Sequence, residues 1–203
     1  MHPNPAFRSE DHARFEAMIA EIGFGMVFLT TPQGPRVAHV PILSRGGGDI
    51  RFHLARANAL TPHLSGATAL ITVNGPDGYV SPRWYDNRDT VPTWDYAALE
   101  MEGAVRALDD RELETLLHDV IQTFEGRVDG DPWLASESSE SMWAGLFRGI
   151  AGFSLTVDEW RPTFKLSQKK NADERARIAR GVEQAGNPKL ARWMRETMRE
   201  IGA

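Results

Sequence analysis

Apolar side chains between residues 13 and 22 recur at helical spacing, with Phe15, Met18, Ile19 and Ile22 on one face, Ser9 ahead of them as a cap and Gly23 behind as a stop. The period then changes. Gly25 to Thr31, Arg36 to Ser44 and Asp49 to Leu54 read as short strands separated by Pro32-Gln33-Gly34-Pro35 and Gly46-Gly47-Gly48, the composition of antiparallel hairpins. A brief helix is predicted over Thr61 to Ser65, then an apolar central strand from Ala67 to Asn74 that Gly75-Pro76-Asp77-Gly78 turns back. Tyr79 to Tyr85 carries Pro82, which lacks a donor and so belongs at an edge or a strand end. The charged run Asp86-Asn87-Arg88-Asp89 reads as a loop placed to cover a pocket. Val91 to Leu108 is the longest strand candidate; alternation sends Trp94 and Tyr96 to one side and Thr93 and Asp95 to the other.

The second half returns to helical spacing. Asp109 with Glu112 forms a capping-box signature ahead of Leu113, Leu116, Leu117, Val120, Ile121 and Phe124, a stripe that predicts a helix clamped onto the sheet. Arg127 to Ser136 reads as loop and Ser138 to Phe147 as a second helix. Gly149 to Trp160, with Phe153, Leu155 and Val157 alternating, returns to strand, and Phe164 to Gln168 completes or extends the sheet. Asn171 with Glu174, and Asn187-Pro188, open two final helices; the last carries Leu190, Trp193, Met194, Met198 and Ile201 on its buried stripe.

Composition narrows the class. At 203 residues the chain can bury one good core, and 41% hydrophobic with 25% charged residues is ordinary for a globular protein. The absence of cysteine excludes disulfides, thiolate metal sites and a cysteine nucleophile. No basic-then-apolar leader opens the chain, and no apolar run approaches the roughly 20 residues that cross a bilayer. A cytoplasmic protein without a membrane partner is therefore expected. The net charge of −5 is uneven: from Arg161 onward there are eleven Lys or Arg against five Asp or Glu. A basic tail on an acidic body either docks on its own or a partner subunit or faces a phosphate, on a cofactor or a nucleic acid.

Candidate chemistry concentrates between Arg51 and Gly103. Arg56 and Asn58 follow a strand end and precede a helix start, where backbone N–H groups add to a cation in holding a phosphate. Local sequence alone supports equally a surface arginine and a cap. Two tryptophans, three tyrosines and two histidines share this stretch, and rings with polar tips suit a flat, hydrogen-bonding ligand. His53 faces either that ligand or the barrel interior. His39, inside a strand, is read as a buried, hydrogen-bonded histidine ahead of any chemical role. Lys165 and Ser167, two apart in an extended segment, can share one phosphate or one carbonyl edge; the bland alternative is a surface lysine and a helix-start serine. No histidine pair stands at metal-ligand spacing, no metal site is predicted, and no serine sits in a nucleophile elbow.

The set His53-Leu54-Ala55-Arg56-Ala57-Asn58, Tyr79-Val80-Ser81-Pro82-Arg83-Trp84-Tyr85, Val91-Pro92-Thr93-Trp94-Asp95-Tyr96 and Lys165-Leu166-Ser167-Gln168 resembles the PaiB-type family, catalogued as FMN-binding negative transcriptional regulators. The order and spacing fit from Met1-His2-Pro3-Asn4-Pro5 to the helix after Gln168. The chain departs from the family at Asn58-Ala59, where asparagine-proline is usual, and at Lys169-Lys170, where asparagine-arginine is usual; lysine cannot make arginine's two-pronged phosphate contact. The resemblance implies a mainly β fold with added helices (α+β), an antiparallel split β-barrel related to the pyridoxamine-phosphate-oxidase-like flavoproteins, dimeric, with flavin at the subunit interface. Residues 1–168 would form the split-barrel domain with inserted helices, and residues 169–203 a helical tail packed on it. FMN is the expected cofactor. It would be held by His53, Arg56, Asn58, Thr93, Trp94, Lys165, Ser167 and Gln168, with His39, Tyr85 and Tyr96 lining a substrate pocket.

On this reading a redox-active flavin does the chemistry of an oxidoreductase and no catalytic side chain is assigned. Two other readings stand beside it. One is a transcription-linked regulator without catalysis, raised by the family's label and the basic tail, although no motif for reading base edges is present. The other is a split barrel holding a different planar ligand such as haem, for which His39 and His53 are the residues to watch.

Overall fold

Thr31 closes the first hairpin. Its hydroxyl donates to the Gly34 carbonyl at 2.9 Å and accepts from the Gln33 amide at 3.2 Å, folding β1 (Phe24–Thr31) back onto β2 (Gly34–Ser44). The ladder runs from Thr31 opposite Gly34 to Phe24 opposite Pro41. β2 pairs with β3 (Asp49–Ala55), β3 pairs with β6 (Ile150–Lys165) along its whole length, and β1 takes β4 (Thr68–Val80) on its other side. With β5 (Thr93–Ala107) the order closes as β1-β2-β3-β6-β5-β4, and the registers of β1–β2, β1–β4, β2–β3 and β3–β6 are antiparallel. This is an antiparallel barrel with added helices: the hairpin pattern predicts the antiparallel start, and the family resemblance implies the barrel. The computed structural model describes residues 2–201, with side chains as far as residue 198.

The chain folds as two compact units, and β4, β5 and β6 each run through both. The first unit comprises the residues up to His12, Asn74–Leu99 and everything from Arg161 on; the second comprises Ala13–Val73 and Glu100–Trp160. In the second unit α1 (His12–Ile22) buries Phe15, Met18 and Ile19, while Val27, Ile42, Phe52, Ile71 and Leu155 point into the barrel. α2 (Thr61–Leu64) is a single turn. In the first unit α5 (Ala172–Gln184) and α6 (Pro188–Ile201) bury Ile178, Val182, Leu190, Trp193 and Met194. The predicted burial of Ile201 lies outside the described side chains.

Several elements differ from the sequence expectation. Gly75-Pro76-Asp77-Gly78 is no turn: β4 passes straight through it for 13 residues, because ladder pairing outweighs local turn preference and a proline removes only its own donor. Tyr79 and Val80 therefore end β4, and Ser81 caps a short 3₁₀ turn at Pro82–Trp84 by accepting from the Arg83 amide. β6 is one strand of 16 residues, longer than β5, and runs through Pro162 where two segments were expected. Ser9 accepts from Asp11 instead of capping α1. α4 (Glu140–Phe147) starts two residues later than predicted, capped by Ser139. On α3 (Asp110–Glu125) only Leu113 and Leu116 of the predicted stripe are buried.

The α3 start is as read. Asp109 accepts from the Glu112 amide at 2.8 Å, Glu112 accepts from the Asp109 amide at 3.1 Å, and Arg106 grips the Glu112 carboxylate with both terminal nitrogens at 2.8 and 2.7 Å. Those bonds, Arg106 first, pull the Glu112 carboxyl down to about 2. Because the folded value lies below the unfolded one, this stabilisation is present above the ordinary carboxylate range and lost as pH falls toward 2. Glu112→Gln is expected to lose about 1 kcal/mol at pH 7 and to match the parent near pH 2, read by urea unfolding at both pH values. Gly103 marks a closer constraint, since a Cβ there would stand 1.8 Å from the Thr156 carbonyl oxygen. Gly103→Ala is expected to lose upwards of about 3 kcal/mol or to fail to accumulate as soluble protein, in contrast to a neutral Gly145→Ala control, whose Cβ meets nothing within 4 Å.

Candidate functional site

Alternation along β5 puts Asp95 on the same face as Ala97 and Leu99, so a carboxylate enters the core of the first unit and is only 1% exposed. It is paired there. Lys165, the last residue of β6, brings Nζ to 3.5 Å from Asp95 Oδ1 and donates to Thr93 Oγ1 and to the Trp94 carbonyl. Ser167 donates its hydroxyl to Asp95 Oδ2 and reaches it by taking a left-handed backbone, φ 59°, which costs a residue with a Cβ roughly 1 kcal/mol. Gln168 accepts from the Leu166 amide at 2.8 Å and donates to the carbonyls of Ala6, at 3.0 Å, and Phe164. Thr93, Asp95, Lys165 and Ser167 thus form one bonded knot, with Gln168 bracing the chain beside it, and the donors are turned toward the protein. Burial pushes the Asp95 carboxyl up, against the downward pull of Ser167 and Lys165.

On the other face of β5, Trp94 is 53% exposed and Tyr96 half-buried, so neither packs in the core. Trp94 is held in place: its Nε1 donates to Asp77 Oδ1 at 2.7 Å, and its ring meets Tyr79 edge-on at 6.4 Å. These residues, with Arg83, Trp84 and Asn187, line a cavity of about 620 Å³. Tyr96 and Trp94 line a second one of about 300 Å³. Trp84 is seated against Gly181 of α5, where any Cβ would overlap its ring at 2.2 Å. Tyr85 is buried, with the Lys170 ammonium 3.9 Å from its ring centre, and burial first, then Asp95, raises its hydroxyl. Glu174, also buried, accepts from the Asp86 amide at 3.1 Å and from Lys170 at 3.0 Å, tying the charged loop to α5. Asp77, Tyr79, Arg83 and Asn187, which line the larger cavity, are not among the expected site residues; the sequence reads Asp77 as part of a turn.

The second unit holds the remaining candidates. Arg56 is fixed along one edge: its amide donates to the Gly149 carbonyl at 2.9 Å and its Nε to the Arg148 carbonyl at 3.0 Å. Among the described residues its two Nη groups meet no partner. Asn58 Oδ1 accepts from the Leu60 amide at 2.9 Å, and among the described residues its Nδ2 meets no partner. A fork of guanidinium nitrogens beside a free amide suits a phosphate group. The turn after them is too short to contribute a helix dipole, so the cation carries the attraction. His53 is half-buried; its Nδ1 is sealed without a partner, and burial lowers its pKa. His39 is exposed on the outer side of β2, opposite Met26, which corrects the expectation of a buried histidine. Among the described residues no cluster of three or more His, Asp or Glu is placed to hold a metal, and no helix is long and apolar enough to cross a membrane.

Much of the tail's charge is engaged: Lys170 with Glu174, Arg177 with Asp86, Arg192 with Glu196 and Arg195 with Glu183, all within the first unit. The knot makes a prediction of its own. Lys165→Met leaves Asp95 buried without its cation and is expected to cost about 3 kcal/mol at pH 7. An acid whose folded pKa is raised stabilises the fold below its unfolded value and loses that contribution as pH rises through the folded value. The deficit should therefore shrink below pH 4, measured by urea unfolding; a deficit independent of pH would show that Asp95 is not its source.

Residues 1–159 match the family described as "Putative FMN-binding domain". The chain is 30% identical over 187 residues to the Protease synthase and sporulation protein PAI 2 of Bacillus subtilis, covering 90% of this chain and 88% of that protein. Two solved structures share the fold: the FAD and heme binding protein from Mycobacterium smegmatis (TM-score 0.62, 17% identity, 88% of this chain and 79% of that one) and the flavocytochrome Anf3 from Azotobacter vinelandii (TM-score 0.60, 16% identity, 87% and 78%). The barrel is accordingly a split β-barrel of the flavoprotein type. Its four motifs, its strand order and the span of the match place the chain in the FMN-binding domain family to which PaiB-type proteins belong.

Proposed function

We propose that the protein is a homodimeric flavoprotein that binds FMN and serves a flavin-dependent oxidoreductase reaction. The observation that carries the reading is the turn at Arg56 and Asn58. Its guanidinium is held at one edge by the Arg148 carbonyl and open at the other, an arrangement that pre-orients two N–H donors for a phosphate. When bound, FMN supplies the electron-accepting ring, and the chain's part is to bind, orient and shield it. The first unit, taken by itself, presents oriented rings, with Trp94 fixed by Asp77 and Tyr96 lining a cavity with it. In this reading Thr93, Lys165, Ser167 and Gln168 act by holding the strand that carries Trp94, and Tyr85 by packing beneath Lys170.

The dimer rests on a sheet face in the second unit. Phe24, Met26 and Phe28 of β1 stand opposite Pro41, His39 and Val37 of β2, and Phe28 also stands opposite Leu70 of β4. Side chains of directly paired residues share a face, and here Phe24, Phe28 and Val37 are 51%, 36% and 44% exposed. Exposed apolar side chains gathered on one strand face are what a second copy can cover.

Purified protein is expected to take up FMN saturably with one flavin per chain, and Arg56→Ala to weaken binding by about tenfold to a hundredfold, the worth of a charge-assisted bond. Phe28→Asp is expected to shift sedimentation from dimer to monomer. A protein that stays colourless and leaves FMN fluorescence unchanged at millimolar flavin would end the cofactor reading.

A further inference from the structure

α4 is an apolar helix without a fully buried residue. Met142, Trp143, Ala144, Leu146 and Phe147 make up most of it, none is buried, and Leu146 is 66% exposed. Beneath it lies a cavity of about 330 Å³, walled by Leu117, Val120 and Ile121 of α3, Trp143 and Phe147 of α4, and His53 of β3. All of this belongs to the second unit. The three α3 residues are three of the four in the predicted stripe that the fold leaves short of full burial, Phe124 being the fourth.

His53 is the titratable group of that lining among the described residues. Its burial disfavours the imidazolium, so the ring is neutral near pH 7 and carries one proton. Nδ1 is sealed and without a partner. A sealed N–H without an acceptor is the rarer and costlier defect, so the proton belongs on Nε2 and Nδ1 keeps its lone pair. That leaves Nε2–H as the donor that can meet a molecule in the cavity. No carboxylate, ammonium or guanidinium stands in the lining, so a charged ligand would lose its hydration with nothing in return. The volume admits about two fused six-membered rings, and Trp143 and Phe147 offer ring faces to stack on.

We propose that this cavity binds a small, neutral, flat aromatic molecule bearing a carbonyl oxygen, which accepts a hydrogen bond from His53 Nε2. The site does not depend on the flavin, and its test does not use flavin as a readout. 1-Tetralone and tetralin share one skeleton and differ by the carbonyl oxygen, and each is titrated into the full-length protein by calorimetry. Tetralone is expected to bind saturably, one per chain, with a dissociation constant on the order of 0.1–1 mM, the range for a ligand of this size. Tetralin is expected to bind about tenfold more weakly, the worth of one hydrogen bond. His53→Leu should erase that preference while keeping tetralin binding, and Leu146→Glu, at the exposed mouth, should abolish both; circular dichroism checks that each variant is folded. No saturable tetralone binding, a preference that survives in His53→Leu, or full binding in Leu146→Glu would each overturn the proposal. Loss of dimerisation in Leu146→Glu with no tetralone binding to the parent would instead make this surface a contact between copies of the chain.

Discussion

A carboxylate taken out of water must find a cation and donors or give up its charge, and Asp95 imposes that requirement on the first unit. The response spans distant sequence. Lys165 closes the end of β6 against β5, Ser167 accepts an unfavourable backbone to reach the second carboxylate oxygen, and Gln168 fastens the same corner to Ala6 near the start of the chain. Removing one partner leaves the others with buried polar groups to satisfy, so the cluster acts as a unit. It also holds the start of β5 in place, and with it Thr93 and the exposed Trp94, so the conformation of the aromatic surface follows from the pairing beneath it.

What could be read in the chain divides along physical lines. Caps were legible because they are local: Asp109 with Glu112, Asn171 with the Glu174 amide and Asn187 with the Leu190 amide all form as their spacing predicts. Hairpins were legible because β1, β2 and β3 alternate strongly between turn residues. Pro76 and Pro162 were misread as breaks because their effect depends on which ladder position they occupy, which the neighbouring strand decides. Alternation puts Asp95 on the other side from Trp94 and Tyr96, and its company with Ala97 and Leu99 marks that side as the core; which side was inward is settled by packing that local sequence does not contain. His39 misled in the opposite direction: an imidazole within a strand suggested burial, and its register puts it outside.

The two cations nominated for phosphate illustrate why residue type alone does not assign a role. Lys165 directs its ammonium at Thr93, the Trp94 carbonyl and Asp95, so a ligand at that nitrogen would have to displace bonds that hold the fold. Arg56 gives one nitrogen to the Arg148 carbonyl and keeps its fork, so a ligand there adds bonds without breaking any. The difference follows from chemistry. A lysine is a point charge that internal acceptors can surround, whereas a guanidinium is planar and can be anchored on one edge while recognising an anion on the other. The motif ending in Gln168 spends its polar groups on the protein itself.

Two apolar surfaces of the second unit remain to be accounted for, and their shapes call for different occupants. The outer face of β1, β2 and β4 carries Phe24, Phe28 and Val37 exposed on strands paired in register, and such a strand face gains from a second copy laid across it. The space beneath α4 is concave, lined by side chains of α3 and α4 with His53 and Ile150, and among the described residues His53 is its one titratable group. A flat protein surface would cover its mouth without reaching His53, leaving the donor unmet. A molecule small enough to enter removes apolar area from water and satisfies Nε2 in the same event, which is why the concave surface is better matched to a small ligand than to a second copy.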